Sequence, residues 1–137
     1  MPALTIPDPA PAARTETFWR EFDRSRIPKL VSEGEVVFVD VTADWCLTCK
    51  ANKALVLDRG EVADALAAPG VVRMQADWTR SDPAISRYLE AHGRFGIPFN
   101  IVYGPGVPEG LPLPEILTTE TVLEALSMAA SRGQADR

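Results

Sequence analysis

The chain has 137 residues, 46% hydrophobic and 24% charged, with a formal net charge of −5. That length and balance predict one globular domain burying about two-thirds of the surface its unfolded form exposes. The acidic balance, without any Lys/Arg cluster, argues against nucleic acid as a partner. No apolar run approaches the roughly 20 residues a membrane helix needs.

Residues 1–14 place Pro2, Pro7, Pro9 and Pro11 among alanines and read as a semi-extended linker. The opening Met1-Pro-Ala-Leu-Thr-Ile-Pro7 lacks the basic start and apolar centre of a signal peptide. This composition fits a domain cut from a longer protein, with a frayed terminus as the plainer alternative. The folded domain is expected over residues 15–131 and a disordered tail over 132–137. Trp19 to Phe22 reads as a short first strand anchored by its aromatic residues. A helix follows over Ser25 to Ser32, with Pro28 in its first turn and Gly34 after its end. Val36 to Val41 is β-branched and aromatic, and reads as a buried central strand.

The next predicted helix starts at Cys46 and runs to about Leu57, and a short helical piece covers Glu61 to Ala67. Val71 to Asp77 is a strand. Asp82-Pro83 caps a helix that ends near His92 at Gly93, with Ile85, Tyr88 and Leu89 on its buried face. Phe99 to Tyr103 is a strand, Gly104 to Pro112 a hairpin loop, and Pro114 to Leu117 an edge strand. Thr119 opens a terminal helix expected to turn Val122, Leu123, Leu126 and Met128 to the sheet. Crossover helices followed by a hairpin predict an α/β fold: a mixed central sheet flanked by helices on both faces.

The chemistry concentrates where the central strand ends in Cys46-Leu-Thr-Cys49. Free backbone N–H groups at a helix start stabilise a thiolate on Cys46, and Cys49, one turn on, faces inward within disulfide reach. The pair suits reversible dithiol–disulfide exchange. A purely structural disulfide gains little from so short a loop. A zinc site needs four ligands, and Cys46, Cys49 and His92 supply three. Asp40 lies six residues before Cys46 and points opposite to Val39 and Val41. It is expected as a partly buried carboxyl of raised pKa that takes the proton of Cys49; the alternative is a solvent-facing aspartate at a strand end. Trp45 is expected to shield the dithiol or pack in the core. Asp44 opposes a thiolate on Cys46 whereas Lys50 and Lys53 favour one, so the sign of their combined effect stays open. Ile97-Pro98, directly before a strand, is a candidate cis peptide that offers the Ile97 backbone to an extended substrate. His92 reads as a helix-end residue, and Met74 and Trp78 as core or rim.

Asp40, Ala43-Asp44-Trp45-Cys46-Leu47-Thr48-Cys49-Lys50 and Ile97-Pro98 together resemble the thioredoxin superfamily over about Trp19 to Ala130. Thr42 to Lys50, Ala76-Asp77-Trp78-Thr79 and Asp82-Pro83 are similar, more narrowly, to the C-terminal domain of the DsbD family of thiol:disulfide interchange proteins and to the related Scs proteins. The resemblance implies a thioredoxin-like fold and a periplasmic electron relay. Electrons would arrive from a membrane-embedded dithiol of the same parent protein and pass to thioredoxin-like or immunoglobulin-like partner domains. It implies Cys46 as attacking thiolate, Cys49 as resolving thiol, Asp40 as the buried acid, and Trp45, Ile97 and Pro98 as the substrate-facing residues. No cofactor beyond the Cys46–Cys49 disulfide and no metal is implied, and the isolated domain is expected to be monomeric. One departure stands out: DsbD-type domains can carry a second acid four residues after the second cysteine, where this chain has Lys53, so Asp44 and Lys53 become the tuning residues. Competing readings are a free-standing cytosolic thioredoxin, a copper- or zinc-handling module built on the same cysteines, and a non-catalytic binding module.

Overall fold

The computed structural model describes residues 19–131. The expected linker at 1–14 and tail at 132–137 lie outside the described residues. Five strands form one sheet in the order β1-β3-β2-β4-β5. They are β1 (Trp19–Glu21), β2 (Val36–Thr42), β3 (Val71–Asp77), β4 (Phe99–Gly104) and β5 (Val107–Pro112). β1, β3 and β2 run parallel, while β4 pairs antiparallel with both β2 and β5. The helices are α1 (Ile27–Ser32), α2 (Leu47–Asn52), α3 (Gly60–Leu66), α4 (Pro83–Ala91) and α5 (Thr119–Ala130). A 3-10 turn, Arg24–Arg26, leads into α1, and a π turn, Lys53–Leu57, continues α2.

Strand alternation sorts the core into two layers. Val37, Val39 and Val41 of β2 join Met74, Phe99 and Ile101 under α1 and α4, through Ile27, Ile85, Tyr88 and Leu89. Val36 and Phe38 face the other way, with Val102, under the layer of the π turn, α3 and α5 supplied by Val56, Leu57, Val62, Leu66 and Val122. Asp40 continues the Val36–Phe38 row and so lies beneath the helix that carries the cysteines.

Two expectations need correction. The stretch expected as a hairpin loop is strand β5, joined to β4 by a turn at Pro105-Gly106, and 114–117 is irregular. β5 pairs only with β4, and at a sheet edge Pro108 and Pro112 can turn their missing N–H outward. Met128 is 46% exposed; the buried stripe of α5 is Val122, Ala125, Leu126 and Ala129. A small residue is required at Ala129 because the turn after β4 abuts the helix: Gly106 N–H donates to the Ala129 carbonyl at 2.8 Å. A Cβ at Gly106 would sit 2.0 Å from the Met128 carbonyl oxygen. No helix among the described residues is long and apolar enough to cross a membrane.

Candidate functional site

Cys46 is the N-cap of α2, in extended conformation after β2 has ended. Its backbone N–H donates to the Ala43 carbonyl at 3.1 Å, closing a tight turn, and its Sγ accepts the Cys49 N–H at 3.1 Å. A sulfur in that place takes the role an Asp or Ser oxygen plays at other helix starts, which favours negative charge on it. Cys46 and Cys49 are joined as a disulfide. Cys49 faces inward as expected, but Cys46 and Cys49 are 6% and 5% exposed, so burial does not separate their roles. The capping hydrogen bond does distinguish them.

Ala43 and Ile97 pack against the two cysteines. The Ile97–Pro98 peptide is cis. Trp45 is 58% exposed, so cover for the sulfurs comes from Ala43 and Ile97, and the Trp45 ring is presented outward. Its indole N–H donates to the Thr79 carbonyl at 3.1 Å, and its ring tilts on Trp78 with centroids 6.5 Å apart. Thr79 also holds the approach to the dithiol, accepting the Asp44 N–H on its Oγ1 at 2.8 Å. Thr79 is itself fixed by Asp77, whose carboxylate accepts both its N–H and its hydroxyl. Those bonds hold the Asp77 carboxyl below its ordinary value. Asp44 is exposed on this loop, and Phe95 is 82% exposed just before Ile97.

Asp40 is 5% exposed, which removes the alternative of a solvent-facing aspartate. Its direct neighbours across the sheet are Gln75 on β3 and Asn100 on β4, and both hydrogen-bond to it, Asn100 Nδ2 at 2.8 Å. Burial pushes the Asp40 carboxyl above its ordinary value; the Lys53 ammonium and the two amides oppose that rise, and Asp58 adds to it. Lys53, half-buried where α2 becomes the π turn, therefore acts electrostatically on Asp40. The structure brings together Cys46, Cys49 and Ile97 directly, and Asp40 with Lys53 on the underside of α2.

Sequence reasoning missed the amides. Asn100 interrupts an otherwise apolar strand, and that lone polar side chain was the available signal. Asn52 was also passed over: it is 6% exposed, donates to the Glu115 carbonyl at 2.8 Å and accepts the Leu117 N–H at 3.1 Å, tying α2 to the loop after β5. His92 lies in the other core layer, against the rings of Tyr88 and Phe99, where burial and the nearby Arg24 and Arg94 lower its pKa. Among the described residues no three His, Cys, Asp or Glu side chains gather in a way that could hold a metal ion.

Comparison with known proteins agrees with this geometry. The thiol:disulfide interchange protein DsbD 1 of Pseudomonas aeruginosa is 34% identical over 101 residues, which is 72% of this chain and 17% of that protein. DsbD of Ralstonia nicotianae is 31% identical over 130 residues, covering 91% of this chain and 21% of its own length. The chain thus spans between 12% and 21% of the length of the curated relatives it matches. Among solved structures, the oxidised C-terminal domain of Neisseria meningitidis DsbD superposes with a TM-score of 0.63 at 24% identity, over 80% of this chain and 98% of that one. A thioredoxin from Thermus thermophilus gives 0.60 at 19% identity, over 86% and 92% of the two chains. Both likenesses establish the expected fold. The family model described as thioredoxin-like matches residues 18–105, well over half the chain, and the chain belongs to the thioredoxin-like family.

Proposed function

We propose that this chain is a thiol–disulfide oxidoreductase domain that relays electrons from a membrane-embedded dithiol of its parent protein to periplasmic partner domains. The observation that carries the proposal is the Cys46 sulfur at the start of α2, holding the Cys49 N–H and bonded to its neighbour one turn away. The Pseudomonas and Ralstonia relatives are thiol:disulfide interchange proteins, which supports the same reading.

In the reduced domain, the Cys46 thiolate attacks a partner disulfide and expels one partner thiolate, leaving a mixed disulfide. The Cys49 thiol passes its proton to the Asp40 carboxylate. The Cys49 thiolate then attacks the Cys46 sulfur, forming the Cys46–Cys49 bond and releasing the second partner thiolate. Two electrons leave the domain, and the partner ends as a dithiol once both its sulfurs take up protons: Asp40 releases the proton it took from Cys49, which restores its carboxylate, and solvent supplies the second. Trp45 and the Ile97-Pro98 loop seat the partner beside Cys46, Asp44 and Lys53 tune the sulfurs, and the chemistry calls for no organic cofactor and no metal.

Trapping tests this assignment. Cys49→Ala should accumulate a mixed disulfide with a DsbD-type partner domain, and Cys46→Ala should not. Equal trapping by both variants would remove the assigned roles.

A further inference from the structure

The mechanism leaves Trp19 unused, yet it occupies an unusual position. Its indole receives two cations, the Lys53 Nζ at 4.7 Å and the Arg73 guanidinium carbon at 5.2 Å from the ring centroid. It also stands edge-on to Phe38 with centroids 6.3 Å apart, and Phe38 is fully buried two residues before Asp40 on the same row of β2. A cavity of about 420 Å³ opens beside this ring, lined by Trp19, Lys53, Asp58, Asp64, Arg73 and Gln75 among others. Gln75 is the residue that hydrogen-bonds Asp40 from β3. The cavity thus reaches Gln75, one of the residues that hold Asp40, and Trp19 forms part of its wall.

We propose that Trp19 is a positioning residue for the exchange reaction: its ring holds the Lys53 ammonium at the cavity lined by Gln75, the β3 partner of Asp40, so the cation stays where it can balance the buried carboxylate. The inference rests on the proton-accepting role given to Asp40 above. A lysine carries a long, flexible stem, and Asp58 and Asp64 on the same cavity compete for its charge. A cation held on an indole face is restrained without being neutralised, as a salt bridge would neutralise it. Charged groups facing the cavity come from every element around it: Lys53 and Asp58 from the π turn and its end, Asp64 from α3 and Arg73 from β3.

The two roles open to Trp19 have opposite signs. If the ring only covers the cavity, removing it wets Asp40, favours the carboxylate and lowers the titration point. If the ring positions Lys53, removing it withdraws a compensating cation and raises that point. The test follows the Asp40 side-chain carboxyl by carbon NMR across pH in the oxidised full chain, for wild type, Lys53→Met, Trp19→Leu, Trp19→Phe and the Trp19→Leu/Lys53→Met double variant. We expect Lys53→Met and Trp19→Leu both to move the titration upward, the double variant to move it no further than Lys53→Met, and Trp19→Phe, which keeps the contact with Phe38, to move it partway. The pH profile of exchange with a small disulfide should move with it in the reduced chain. A downward or absent shift in Trp19→Phe and Trp19→Leu, or additive shifts in the double variant, would overturn the proposal. An Asp40 titration that moves while the exchange profile stays fixed would overturn it too, and would locate the failure in the role given to Asp40.

Discussion

Replacing Asp40 by Asn changes a titratable side chain into a neutral one of the same shape, at a site that is 5% exposed. The amide oxygen can still accept from Asn100 Nδ2, as the carboxylate does at 2.8 Å. What the replacement removes is the cost of an ionised group under α2. Taking a carboxylate out of water costs several kcal/mol even after relaxation. Two amide hydrogen bonds and the Lys53 charge offset part of that, and the remaining balance favours the neutral acid, since the folded carboxyl titrates above its ordinary value of 3.8. With the folded pKa above the unfolded one, the native state holds the proton longer. Wild-type stability therefore falls as pH rises from the unfolded value through the folded one, and levels off above it. Asp40→Asn has no such slope. Urea unfolding of the oxidised protein at pH 4 and pH 8 should find the two proteins nearly equal in acid and the variant more stable by on the order of 1–2 kcal/mol at pH 8. A variant less stable than wild type at pH 8, or a difference that does not change with pH, would refute the reasoning.

Three further outcomes follow from the packing. Asn52→Ala deletes both bonds that tie α2 to the loop at Glu115 and Leu117, and urea unfolding should show a loss of about 2 kcal/mol, because the Leu117 N–H stays buried without its partner. Gly106→Ala drives a methyl to 2.0 Å from the Met128 carbonyl oxygen and should cost about 1–3 kcal/mol, whereas Gly96→Ala, which meets nothing within 4 Å, should be close to neutral in the same assay. Thr79→Val removes the hydroxyl that donates to Asp77, so the Asp77 carboxyl should titrate higher than in wild type by NMR, and the Trp45 fluorescence should change as the Asp44-Trp45 loop loses its Oγ1 anchor.

The central strand, the cysteine pair and the face taken by Asp40 were legible because each depends on local periodicity: two residues per pleat, and one helical turn between sulfurs. Ile97-Pro98 was legible for another reason, a proline directly before a strand and downstream of a Cys-x-x-Cys pair. The partners of Asp40 were not, since Asn100 is 60 positions away and reaches it only through the antiparallel register of β4. The edge strand was expected at Pro114 to Leu117 and lies at Val107–Pro112, because the Gly and Pro residues of that stretch read as loop although an edge position tolerates them. Met128 was placed inward by its hydrophobicity, but the inner stripe is Val122, Ala125, Leu126 and Ala129, and at Ala129 the close approach of Gly104 leaves room only for a small side chain. Trp19 was recognised as an anchor, while the cations on its ring come from the π turn and β3 and carry no signal in the neighbouring sequence.

Opening the Cys46–Cys49 bond in dithiothreitol redox buffers, followed by brief alkylation and mass spectrometry of each cysteine, addresses the central assignment most directly. The account predicts full, reversible interconversion of the two forms and modification of Cys46 well ahead of Cys49, since the sulfur at the start of α2 carries the thiolate. A bond that no dithiol buffer opens, or a Cys49 that reacts first, would contradict it.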